Sequence, residues 1–319
     1  MLDIDRLRAL STIAQYGSVS AAAEVLGITT SAVSQQITKL ERETSAQLLE
    51  RNGRGVRLTD AAHVLVQHAD RILELITEAE ADLEAQRGGV VGPLRVAAFP
   101  TAARGLMPRV LVDTARRHPR LTVTLIECDP PASQSQVLRG ESDLAVVQDR
   151  YGSPLPIPEG IERAHLFDDP AEVAMPAAHP LAGRADVELS ELAGDPWISS
   201  PRGTLCYDWL ADTLRRQGVE PRIAHYSDEY PTQLALVSAG LGLALLPRLG
   251  RGRPSPDVVT VPVRPVMVRS VYAVWRREAG RRPAVQAMLD ALRTASDVVT
   301  DTVEVHAASR ATPSAPEEA

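Results

Sequence analysis

The stretch VSAAAEVLGITTSAVSQQITKL, residues 19–40, decides the fold. Its apolar residues fall at Val19, Ala22, Ala23 and Leu26, then at Val33, Ile37 and Leu40, two single stripes at helical spacing. Gly27 ends the first helix and Thr29 can cap the second, which leaves a connection of the length that joins a helix-turn-helix. The second helix turns Ser31, Ser34, Gln35 and Thr38 away from its apolar stripe. A face that is polar but uncharged, made of short hydroxyls and an amide, suits close approach to base edges in a major groove. The bland alternative is a three-helix bundle with a solvated polar face.

Reading outward, Leu7, Leu10 and Ala14 form one more helical stripe, stopped by Gly17, with Ser18 as the next N-cap. On the other side, Gly53 and Gly55 flank Arg54 between Leu48/Leu49 and Val56/Leu58, which reads as a tight two-stranded wing. Lys39, Arg42, Arg51, Arg54 and Arg57 surround the polar face, where cations hold phosphates without reading sequence. The candidate DNA contacts are Thr30, Ser31, Ala32, Ser34, Gln35, Thr38, Lys39, Arg51 and Arg54.

Residues 59–87 contain no Pro or Gly, and Leu65, Ala69, Ile72, Ile76, Ala79 and Leu83 alternate steps of four and three, a heptad seam. A dimerising helix is the favoured reading, because the pattern is long and ends at Gly88-Gly89; a single amphipathic helix lying on its own domain is the alternative. From Gly92 onward short apolar runs alternate with helical stripes, the signature of an α/β domain with a largely parallel sheet. Strands are expected at 94–99, 121–127, 143–148, 172–175, 197–199, 222–226, 243–246 and 270–276, with helices at 101–118, 133–139, 206–217, 230–239 and 283–295. The domains are set at 1–59, 60–88 and 92–299, with one lobe at about 92–162 and 268–299, the other at about 163–267, and a disordered Ala, Ser, Pro and Glu-rich tail at 300–319.

The 319 residues are 44% hydrophobic and 24% charged, enough for two or three packed cores and incompatible with whole-chain disorder. No apolar run approaches a bilayer span and the amino terminus carries Asp3 and Asp5, so a cytoplasmic chain is expected. The net charge of −7 argues against DNA until it is resolved by segment. Residues 1–59 are +1, residues 60–92 are −5, residues 93–296 are +1 and residues 297–319 are −4, so the excess acid sits in the linker helix and the tail.

These residues resemble a known family. The run Tyr16 to Ala23, the run Leu26 to Ile37, Leu40-Glu41 and Leu48 to Arg51 look like the LysR-type transcriptional regulators. So do Gly92 to Val96, Leu138 to Ala145, His179 to Ala182 and Val237 to Pro247, so that the resemblance covers nearly the whole chain except the tail. It implies a winged helix-turn-helix, a dimerising linker helix and a two-lobed α/β effector domain similar to periplasmic binding proteins. It also implies a dimer or tetramer held through the linker helix and effector domains, binding double-stranded DNA at inverted repeats under control of a small molecule. Two departures stand out: Ser31 replaces a proline common near the start of the recognition helix, and Thr59-Asp60-Ala61-Ala62 replaces Thr-Glu-Ala-Gly at the linker start while keeping the capping hydroxyl and the acid.

A two-lobed α/β fold binds its ligand beyond the carboxyl ends of its strands. The loops Phe99-Pro100-Thr101 and Ser199 to Thr204 both follow a strand and open a helix; Thr101 and Arg202 are placed to hold a carboxylate. The candidate effector residues are Phe99, Thr101, Cys128, Asp129, Pro201, Arg202, Thr204 and Glu229, each with an ordinary N-cap or turn role as its alternative.

Other signals point away from chemistry. The histidines show no ligand spacing, so no metal is expected, and no cofactor motif or G-x-S-x-G elbow is visible; Gly240-x-Gly242 lacks a third glycine. Cys206, near a helix start, suits a redox sensor as in peroxide-sensing members of the family, but its nearest possible partner is the distant Cys128. The competing reading is a solute-binding protein or enzyme with an accessory helical domain; a signal peptide or catalytic constellation would favour it.

Overall fold

Side-chain caps punctuate the amino-terminal domain. The computed structural model describes residues 2–52, 55–86, 89–149, 154, 156–252 and 254–310. Helix α1 (Ile4–Tyr16) ends at Gly17, which takes φ +73°, and α2 (Val19–Leu26) starts where the Ser18 hydroxyl accepts from the Ala21 amide. Gly27 ends α2 with φ +65°, and the Thr29 hydroxyl accepts from the Ala32 amide to start α3 (Thr30–Thr44). Each cap satisfies amides that a helix start leaves unpaired. Leu7, Leu10, Ile13, Ala22, Val33, Ile37 and Leu40 form one buried core, so both stripes of the opening stretch face inward as expected. The wing is an antiparallel pair, β1 (Leu49–Asn52) and β2 (Gly55–Leu58), whose tip with Arg54 lies outside the described residues.

Helix α4 (Asp60–Gln86) is capped by the Thr59 hydroxyl, which accepts from the Ala62 amide. At 27 residues it is about 40 Å long. Its first half lies on its own domain: Ala62 and Ala69 are buried in the helix-turn-helix core, Leu65 and Ile72 pack against it, and Ser11 hydrogen-bonds Asp70. The outer seam positions Ala79 and Leu83 are exposed. Half of the heptad seam is therefore spent within the chain, because α1 offers it an apolar partner.

The remaining chain forms one sheet. β3 (Gly92–Ala98), β4 (Leu121–Glu127) and β5 (Leu144–Gln148) run parallel, as do β8 (Trp197–Ser199), β9 (Ile223–Tyr226) and β10 (Leu243–Pro247). Two long strands, β6 (Ile161–Pro176) and β11 (Val258–Arg276), run antiparallel to each other and join the two sets in the order β4-β3-β5-β11-β6-β10-β8-β9. The short β7 (Val187–Glu188) pairs with β11. The sheet is thus mixed rather than largely parallel. The strands expected at 172–175 and 270–276 are the ends of these crossovers, which the charge-rich run Glu162 to Asp169 on one, and Arg264, Pro265 and Arg269 on the other, disguise as loops.

One core beneath the first set gathers Val96, Met107, Val146, Val271, Trp275 and Leu292; a second beneath the other set gathers Val173, Met175, Trp197, Leu210 and Leu243. The single helix expected at 101–118 is two, α5 (Pro100–Gly105) and α6 (Met107–Arg117), because Pro108 cannot donate to a preceding turn. The other helices are α7 (Pro130–Arg139), α8 (Leu205–Arg216), α9 (Tyr230–Ser238) and α10 (Pro283–Arg310). α10 runs to Arg310, with no Pro or Gly after Pro283 to stop it; residues 311–319 lie outside the described residues.

A buried ion cluster ties the loop after β10 to β6. Glu172 on β6 meets Arg248 at 2.6 Å and Arg251 at 2.8 Å. Burial alone would raise the Glu172 carboxyl, but the two guanidiniums hold it below the usual carboxylate value. Its stabilising effect is therefore complete above the unfolded value of about 4.3 and lost as pH falls through the lower folded one. Glu172→Gln is expected to lower the melting temperature at pH 7 and to flatten the loss of stability below about pH 4.3, read by thermal melts across acid pH.

Candidate functional site

The polar face of α3 stands clear of the protein. Thr30, Ser31, Ser34, Gln35, Thr38 and Lys39 are exposed and Ala32 is half-buried beside them. The Ser34 hydroxyl donates to the Thr30 carbonyl at 2.8 Å and Thr38 to that of Ser34 at 2.9 Å. With their protons turned back onto the helix, both oxygens face outward as acceptors, matched to the amino groups of adenine and cytosine. Gln35 has no hydrogen-bond partner among the described residues and can present both a donor and an acceptor. Among the cations, Arg57 pairs with Glu50 at 2.8 Å and Arg6 pairs with Glu43, whereas Lys39 and Arg42 are exposed with no acidic partner among the described residues. Arg51 lies on β1.

The second site is a cleft of about 840 Å³ between the two strand sets. It collects the amino ends of four helices: Phe99-Pro100-Thr101 at α5, Asp129-Pro130-Pro131 at α7, Thr204-Leu205-Cys206 at α8 and Glu229-Tyr230-Pro231 at α9. Five expected residues, Phe99, Thr101, Asp129, Thr204 and Glu229, line it together. Three do not. Cys128 follows Glu127 on an extended chain, so its side chain takes the opposite face and packs beside Val137 and Ala145. Pro201 is half-buried in a turn closed by the Thr204 amide on its carbonyl. That turn throws Arg202 outward, where its guanidinium lies 5.4 Å from the Tyr207 ring centroid, beside Tyr226.

Arg104 and Arg269 line the cleft instead, and the buried one of the two is Arg269, 2% exposed. Its Nε donates to Asp169 at 2.8 Å, Nη2 to Asp169 and to the Thr101 hydroxyl at 2.8 Å, and Nη1 to Gln148, while the group stacks 5.0 Å from the Phe99 ring centroid. Asp169 also accepts from the Leu249 amide, so the pair links both crossovers to the loop that follows β10. Beside it Gly250, at φ +68°, sits against Thr101: an added Cβ would meet the Thr101 carbonyl oxygen at 2.3 Å. Only glycine lets the two lobes approach that closely.

Sequence reasoning missed Arg269 although a signal existed. Met267, Arg269, Val271, Ala273 and Trp275 are all buried at alternate positions, as are Phe167, Asp169, Ala171 and Val173 on β6. Arg269 and Asp169 occupy matching inward positions and are direct cross-strand partners. A smaller cavity of about 90 Å³ adjoins the cleft through Gln148, Leu205, Cys206, Tyr230 and Arg269. The Cys206 thiol there is 3.9 Å from the Tyr230 hydroxyl, whose ionisation burial suppresses. Among the described residues no helix is long and apolar enough to cross a membrane.

Comparison with known proteins bears on both sites. Residues 4–63 match the model of the bacterial regulatory helix-turn-helix protein, lysR family, and residues 87–297 match the LysR substrate binding domain. A small neutral protease regulatory protein of Streptomyces coelicolor is 32% identical over 302 residues, 91% of this chain and 92% of that one. Full-length CbnR solved with its target DNA is 25% identical with a TM-score of 0.54, over 92% of this chain and 100% of that one. An OxyR mutant of Corynebacterium glutamicum with hydrogen peroxide bound is 27% identical with a TM-score of 0.58, over 98% of both chains.

Proposed function

Because the chain belongs to the LysR family of transcriptional regulators, which are not enzymes, we propose that it binds inverted-repeat promoter DNA as a dimer or tetramer under control of a small molecule in the interlobe cleft. The observation that carries this reading is the exposed, uncharged face of α3, set on a buried core and flanked by Lys39 and Arg42, which have no acidic partner among the described residues. The CbnR complex with its target DNA supports the same use of the domain. Thr30, Ser31, Ala32, Ser34, Gln35 and Thr38 are assigned to the bases, and Lys39, Arg51 and Arg54 to phosphates. Phe99, Thr101, Asp129, Thr204 and Glu229, joined by Arg269, are assigned to the effector, and a carboxylate suits the donors they surround. The exposed outer half of α4, with Leu75 and Leu83, is assigned to the partner subunit. The cytoplasm, where promoter DNA is reached, is the expected compartment.

Control is a population shift: the effector must bind one arrangement of the subunits more tightly than the other. α4 supplies a route, since it packs both on α1 and on the short helical turn Arg277–Arg281 of the effector domain. A gel shift with the DNA flanking the chain's own gene tests the reading. A sequence-specific shift is expected; none, with or without cell extract, contradicts it.

The amino-terminal charge of only +1 predicts the salt response. With three phosphate contacts per subunit, the slope of log K against log salt is expected near −5 for a dimer on one inverted repeat, from about −0.9 per contact. A slope near −10, measured by fluorescence anisotropy, would mean a broad cationic surface that the sequence does not supply.

A further inference from the structure

The cleft has two chemically different ends. At its rim Glu127 and Asp129 from one lobe and Asp228 and Glu229 from the other are all exposed, and none pairs with a basic side chain among the described residues. The bases lining the cleft are Arg104, whose Nε is bound to the Gly250 carbonyl, and Arg269, already neutralised by Asp169. Field lines from four like charges in a low-dielectric crevice concentrate a cation there.

Its inner wall offers donors. Ser200, 5% exposed, lines the cleft and its hydroxyl has no partner among the described residues. The Thr101 oxygen accepts from Arg269, which leaves the Thr101 proton free to donate outward. Arg269 spends all but one Nη1 proton on Asp169, Thr101 and Gln148. Buried donors of this kind need an acceptor to complete them.

We infer that the effector is a zwitterion of amino-acid type, its carboxylate on Thr101, Ser200 and Arg269 and its ammonium between the acidic pairs of the two lobes. The inference rests on the cleft being the effector site. An ammonium between the acidic pairs of the two lobes offsets their like charge and so favours lobe closure.

The test uses the full chain in thermal-shift and calorimetric titrations against common amino acids, their N-acetyl derivatives, aliphatic dicarboxylates and putrescine. At least one amino acid is expected to bind, with about tenfold weaker binding after N-acetylation and again in the Glu127→Gln/Asp129→Asn variant. Both carboxylates are exposed, so this variant is expected to fold, which its unliganded melt checks. Dicarboxylate binding that ignores this variant but is lost in Thr101→Val overturns the zwitterion and leaves the cleft as the effector site. Amino-acid binding that neither variant weakens overturns both. Binding of putrescine alone, or of nothing in the panel, overturns the inference.

Discussion

Arg269→Met is expected to lower the unfolding free energy by about 3–5 kcal/mol, because it strands the Asp169 carboxylate, 1% exposed, without its counter-ion. In a chain of this size that is a fall in melting temperature of about 10 °C, readable by circular dichroism. The loss is not merely the worth of one pair, since the same guanidinium holds the Thr101 hydroxyl and Gln148 at the cleft wall. Asp169→Leu combined with Arg269→Met is expected to recover part of the stability, because a buried pair replaced by apolar groups no longer leaves a lone charge. Recovery stays partial, as the Leu249 amide loses its acceptor. The double variant should fold yet respond poorly to effector. A single variant as stable as the wild type would show that Asp169 is solvated in solution and that the crossover clamp does not exist.

Gln35→Ala is expected to weaken binding to the preferred duplex by about 1–3 kcal/mol, which is about 5- to 150-fold, while leaving affinity for random duplex and the salt slope unchanged. An amide facing a base edge carries sequence information but no charge, so its loss cannot release or retain counter-ions. Lys39→Ala should do the reverse, weakening all sequences alike and reducing the slope by about one per subunit. Anisotropy titrations of both variants against specific and random duplexes separate the two roles. Equal loss on both duplexes for Gln35→Ala would place that side chain away from the bases.

The helix-turn-helix was legible because its information is local: Gly17, Ser18, Gly27 and Thr29 each act within one turn, and the stripes of α2 and α3 repeat without interruption. The cleft loops Phe99 to Thr101, Asp129, Thr204 and Glu229 were legible for a related reason, being helix starts after strands. What was not legible depends on partners distant in sequence. Whether Leu65 and Ala69 meet a second chain or α1 cannot be decided from a heptad, since both partners want the same stripe. Arg202 reads as a cleft cation by position, yet the turn closed on the Pro201 carbonyl rotates it to Tyr207 and Tyr226. Arg269 was hidden because a charged residue interrupts an apolar run, and only its partner Asp169, a hundred positions away on β6, makes it an inward-facing residue.

The central claim is that α3 reads bases as part of a symmetric assembly. Selection of bound duplexes from a randomised DNA library, with wild-type chain and with Gln35→Ala in parallel, tests it most directly. Enrichment of an inverted repeat by the wild type, with relaxed preference at one position of each half-site for the variant, is the predicted result. Recovery of unrelated sequences by the wild type, or an identical motif from both proteins, would contradict it.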